Sequence, residues 1–168
     1  MGRNAAITVA MAGGLVWSVA LLWSAARFVE IPVFTLMPTI MTAFLTPGLV
    51  MAAMIGWIAR RRFGDDKIIG AQSPSGNAGI DRRILSTATE QLVLALCIWP
   101  GAAVILGGAG PGVIVMLGLG LALALIVFWI GCRISVPLRV FGLVASFCPT
   151  VLVALWAMLS LSGLFPGR

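Results

Sequence analysis

Residues 113–132 read VIVMLGLGLALALIVFWIGC, twenty consecutive residues without a charge, and Arg133 closes the run. As a helix rising 1.5 Å per residue the stretch is about 30 Å long, the thickness of a bilayer's hydrocarbon core. It reads as a transmembrane helix. Working toward the amino terminus, Gly107, Gly108, Gly110, Pro111 and Gly112 form a tight uncharged turn. A span from near Arg83 to about Leu106 precedes it. Residues 64–81 mix Gly, Asp, Lys, Gln, Ser, Pro and Asn without helical periodicity, which predicts a water-exposed loop. Before that loop, an uncharged run from Ile31 to Ala59 stops at Arg60, Arg61 and Arg62. Pro32 and Pro38 belong to its lead-in, and Pro47 should kink it. Ala5–Ala26 is a further uncharged span ending near Arg27 and Glu30. Toward the carboxyl terminus, a short polar link with Arg133, Ser135, Pro137 and Arg139 leads to a last span from Val140 to about Phe165, bent at Pro149.

Composition supports the same reading. Of 168 residues, 61% are hydrophobic and 10% charged, more apolar surface than one soluble core needs, so the excess must face lipid. The chain has room for four or five spans and no separate soluble domain. With five, Arg3, Arg60, Arg61, Arg62, Lys67, Arg82, Arg83, Arg133 and Arg139 fall on one side, against Arg27 and Arg168 on the other. The positive-inside bias makes the richer side cytoplasmic, with the amino terminus there and the carboxyl terminus outside, in a bacterial inner membrane. The first span could instead be a cleaved signal, although its 22 residues are long for that role. The net charge of +6 is better spent on orientation and anionic lipid headgroups than on nucleic acid, which is not an expected partner. Cys97, Cys132 and Cys148 are too far apart for a C-x-x-C pair, and with no His in the chain no metal site is expected.

One constellation could carry chemistry. Glu90 is the only ionisable residue well inside a span, where a charge facing lipid costs several kcal/mol, so it should face the bundle or water and pair with an arginine. Thr87 and Arg83 lie three and seven residues earlier, along one helical stripe. Arg83 and Glu90 could simply lock helices together. If the ends of neighbouring helices converge, however, Arg60, Arg61, Arg62 and Arg139 surround a crevice with one carboxylate beneath, suited to a small anion bearing carboxylates and an amine. An arginine there would also favour the thiolate of a bound thiol. The plainer role for the triple arginine is stop-transfer and lipid contact.

The segment Arg83-Ile84-Leu85-Ser86-Thr87-Ala88-Thr89-Glu90-Gln91 resembles the Arg-x-x-x-Asn-x-x-Glu signature of the MAPEG superfamily, membrane-associated proteins of eicosanoid and glutathione metabolism. The order of features agrees over roughly residues 38–160: Arg60-Arg61-Arg62-Phe63, a loop, the signature helix, a Gly-rich hairpin, Gly131-Cys132, and Pro137-Leu138-Arg139-Val140-Phe141-Gly142. The resemblance implies an all-α integral membrane protein. A four-helix transmembrane bundle at residues 31–168, with its cytoplasmic loop at about 60–82, carries one additional N-terminal transmembrane helix at residues 1–30. It further implies a homotrimer that binds glutathione as cosubstrate at subunit interfaces. Arg83, Thr87, Glu90 and one of Arg60, Arg61 and Arg62 would contact glutathione, and Arg139 would activate its thiol. Two departures stand out: Thr87 replaces the Asn, and the chain has no Tyr to act as a phenolic donor. The expected activity is a glutathione-dependent transferase or peroxidase acting on small lipophilic substrates. The alternatives are a noncatalytic structural or binding protein of the same fold, and a small transporter using Glu90.

Overall fold

The computed structural model describes residues 3–28, 36–64 and 77–162; the expectations for Lys67, the tip of the loop, Pro32, Glu30, Phe165 and Arg168 lie outside them. Among the described residues there are five long helices and no strand: α1 (Arg3–Phe28), α2 (Leu36–Gly64), α3 (Asn77–Ile105), α4 (Gly110–Ile134) and α5 (Val136–Leu161). Each is long and apolar enough to cross a membrane. Large apolar side chains point outward from every helix, among them Val16, Leu45, Val93, Leu123 and Leu155. A soluble protein of this size would have to bury such residues; here they suit a lipid solvent.

The apolar run quoted first, α4, is the centre of the bundle. It packs against all four other helices, which surround it in the order α1, α5, α3, α2. Small residues make this packing close, because lipid supplies no hydrophobic drive between helices and dispersion contacts must hold them together. Gly118 lies on the Ala43 carbonyl of α2, and Gly120 receives the Leu21 side chain of α1. Residue 119 therefore looks out between α1 and α2, and Leu119, Leu123, Ile126 and Ile130 form an exposed stripe along that opening. Ala43 is also the residue whose carbonyl Pro47 deprives of its helical donor. The Thr46 hydroxyl donates to it at 3.2 Å, as hydroxyls do for proline-freed carbonyls in membranes.

On the opposite side of α4, Trp99 of α3 stacks on Phe44 of α2 at 5.1 Å, and its indole nitrogen donates to Thr150 Oγ1 of α5 at 3.3 Å. Gly13 and Gly14 of α1 let the Phe141 ring and Val144 of α5 approach. So α1 joins the bundle mainly through α5 and α4.

The turns depart from the sequence reading in two places. The predicted glycine turn forms a single 3-10 turn, Gly107–Ala109, with Gly107 at φ +56°, a conformation that favours glycine. But α3 starts at Asn77, before Arg83, so the last residues assigned to the loop are helical and Asp81 belongs to the bundle. The link between α4 and α5 shrinks to Ser135 alone, with extended backbone at φ −157° and ψ 145°. Pro137 sits in the first turn of α5, where its missing N–H costs nothing, and this starts the helix ahead of Arg139. Arg139 is consequently a helical residue.

Candidate functional site

The convergence of basic helix ends expected from the sequence is present, but it is built around a different carboxylate. Asp81, 6% exposed, emerges from the beginning of α3 between the ends of α2 and α4. Arg133 of α4 donates from Nη2 to Asp81 Oδ1 at 2.7 Å, and Arg61 of α2 places Nη1 3.6 Å from Oδ2. One side chain thus ties three helix ends together. The two arginine side chains keep 34% and 38% of their surface exposed, so the cluster sits at the edge of the bundle. A cavity of about 200 Å³ opens there, lined by Arg61, Ile80, Asp81, Cys132 and Arg133. Cys132 is half-buried within electrostatic reach of Arg139, Arg133 and Arg83.

Sequence reasoning missed Asp81 because it fell in the stretch assigned to the loop. The signal was present in the spacing. Asp81, Ile84, Ala88, Gln91, Ala95, Trp99 and Ala102 recur every three or four residues and are all buried. Extending that stripe backward from Ile84 reaches Asp81.

Glu90 requires a correction. It was expected to face the interior and pair with an arginine; in the structure it is exposed on the outer face of α3. Gln91, one residue and about 100° further round, occupies the inward position, where its Oε1 is closed to solvent with no hydrogen-bond partner among the described residues. Arg83 is about 10 Å along the axis from Glu90, and the two form no ion pair. The carboxylate instead accepts a hydrogen bond from Ser86 Oγ at 2.9 Å. Ser86, Thr89, Glu90, Val93, Leu94 and Cys97 line a shallow groove of about 540 Å³ on this face.

The other sequence-predicted residues divide between the two places. Arg61 joins the Asp81 cluster. Arg60 and Arg83 are exposed, Thr87 is half-buried, and the Arg62 side chain lies outside the described residues. Arg139 is exposed on the first turn of α5, its backbone against Gly131. The described residues bring no three His, Cys, Asp or Glu side chains together in a metal-binding group.

Fold and site together define an all-helical protein with the architecture of an integral membrane protein. One end is held by a carboxylate shared between two arginines, and a polar patch lies on the outer face of α3. No protein-family model matches the chain, and neither does any curated protein or solved structure.

Proposed function

We propose that the chain is a MAPEG-like membrane protein that assembles as a homotrimer and binds glutathione at the protomer interface. There it would act as a transferase or peroxidase on small lipophilic substrates. The observation that carries this reading is the outward-facing Glu90. A carboxylate more than ten residues into α3 and directed at acyl chains costs several kcal/mol, which a second copy and a bound polar ligand would offset. On the same side of α3, Arg83 can take a glutathione carboxylate, while Glu90 and Ser86 are suited to its ammonium group. Arg139, in the first turn of α5, would favour the thiolate of the bound glutathione.

Isothermal titration of glutathione into detergent-purified protein should show saturable heat, and Glu90→Gln should weaken binding about tenfold, the loss of one charge-assisted hydrogen bond. Cross-linking should give trimers. Absence of any binding heat overturns the catalytic reading.

A noncatalytic role in the same fold is the second reading, favoured by the use of Arg61 and Arg133 to fasten helices through Asp81. Trimers that bind no glutathione would single it out.

Apart from Arg27, the basic residues of the described helix ends gather at one end of the bundle, which supports a cytoplasmic placement of that end in a bacterial inner membrane. Reporter fusions should place the amino terminus in the cytoplasm and the carboxyl terminus outside; the same compartment for both would sink this topology.

A further inference from the structure

Among the described residues, the Asp81 cluster is short of one negative charge. Two guanidinium groups share one carboxylate, and Arg61 Nη1, 3.6 Å from its nearest carboxylate oxygen, is closed to solvent with no hydrogen-bond acceptor among the described residues. Arg133 commits Nη2 to Asp81 and has further N–H donors in its fork. The chemistry of the cluster therefore calls for a second anion, with oxygens able to meet planar guanidinium groups.

The surroundings of Arg133 say what kind of anion. Besides the cavity of about 200 Å³ lined with Arg61 and Asp81, Arg133 borders a groove of about 190 Å³ whose other walls are Trp57, Trp129 and Ile130. The Trp57 and Trp129 rings meet edge to face at 6.3 Å. Tryptophan beside arginine at the end of a membrane span is the pattern of the headgroup level. From Ile130 the exposed stripe of Ile126, Leu123 and Leu119 continues the apolar surface along α4. A charged cavity and an apolar groove joined at one arginine match an amphiphile with an anionic head.

We propose that the α2–α4 groove is a binding site for an anionic glycerophospholipid. Its phosphate is held by Arg133 and Arg61, and one acyl chain lies over Trp57, Trp129 and Ile130 along the α4 stripe. The site is separate from the outer face of α3, so it stands whether or not glutathione binds.

Native mass spectrometry of delipidated full-length protein tests it, with phosphatidylglycerol, phosphatidylcholine and inorganic phosphate as probes. Phosphatidylglycerol should be retained about tenfold more strongly than phosphatidylcholine, as expected for one charge-assisted contact. Trp57→Ala, on an exposed wall clear of Asp81, should lower that retention several-fold at unchanged melting temperature. Arg133→Lys keeps the charge facing Asp81 but loses the fork, and should lower it as well. Millimolar inorganic phosphate should not displace the lipid. Equal retention of the two lipids overturns the proposal, as does indifference to both substitutions. Displacement by phosphate alone would assign the cavity to a free anion and overturn it too.

Discussion

Asp81→Ala should lower unfolding stability in detergent by about 2–4 kcal/mol, more than the loss of any other polar side chain among the described residues. Breaking a buried pair from one side costs about 3–5 kcal/mol because a charge is left behind. The figure is reduced here because Arg61 and Arg133 keep a third or more of their surface in contact with solvent. A double-mutant cycle measures the coupling directly: Arg133→Met should cost much less in the Asp81→Ala background than in the wild type. A loss within about 0.5 kcal/mol for Asp81→Ala would mean that the three helix ends are held by packing alone.

Gly142→Val should be worse still and is expected to prevent accumulation of folded protein. A Cβ at residue 142 would lie 2.5 Å from the Phe128 backbone nitrogen and 2.6 Å from its Cα. Backbone atoms cannot rotate away as a side chain does, so α5 would have to move off α4. The hinge forbids that movement: Ser135 is the sole nonhelical residue between the two helices, and Gly131 meets the Arg139 backbone just beside it. Overpacking typically costs about 1–3 kcal/mol, and a clash with backbone at a constrained hinge should exceed that range. Gly56 and Gly101 supply the control, since a Cβ at either meets nothing within 4 Å. Gly56→Ala and Gly101→Ala should be neutral or stabilise by up to about 1 kcal/mol through helix propensity. If Gly142→Ala unfolds at the same denaturant concentration as Gly101→Ala, the close approach of α4 and α5 is wrong.

The five helices were legible because the bilayer sets their length and uncharged runs mark it: Ala5–Ala26 and Val113–Cys132 lie within α1 and α4. The gathering of arginines at one end followed from the same parsing. The partner of those arginines did not. Charge near a polar stretch pulls the apparent boundary toward the apolar residues, which hid the first five residues of α3, Asp81 among them. The direction of Glu90 is argued from the cost of lipid exposure, which does not by itself say which of two adjacent polar residues turns inward. Glu90 and Gln91 are adjacent and both polar. Which one turns inward is decided by the register of Ile84, Ala88, Ala95 and Trp99, and a short motif does not contain that register. Pro100 lies inside α3 without ending it, because the apolar run continues on both sides.

The placement of α1 has a consequence for biogenesis. The helix leaves the ribosome before the two helices it mainly packs against have been synthesised. Leu21 waits for Gly120, and Gly14 for Val144. During translation α1 therefore awaits its main partners, while α2 and α3 already have each other. The bundle closes from its last helix back to its first, so a chain interrupted before α4 leaves both ends of the fold unmade. Such a nascent protein relies on the insertion machinery, or on lipid alone, to shelter α1 until synthesis is complete.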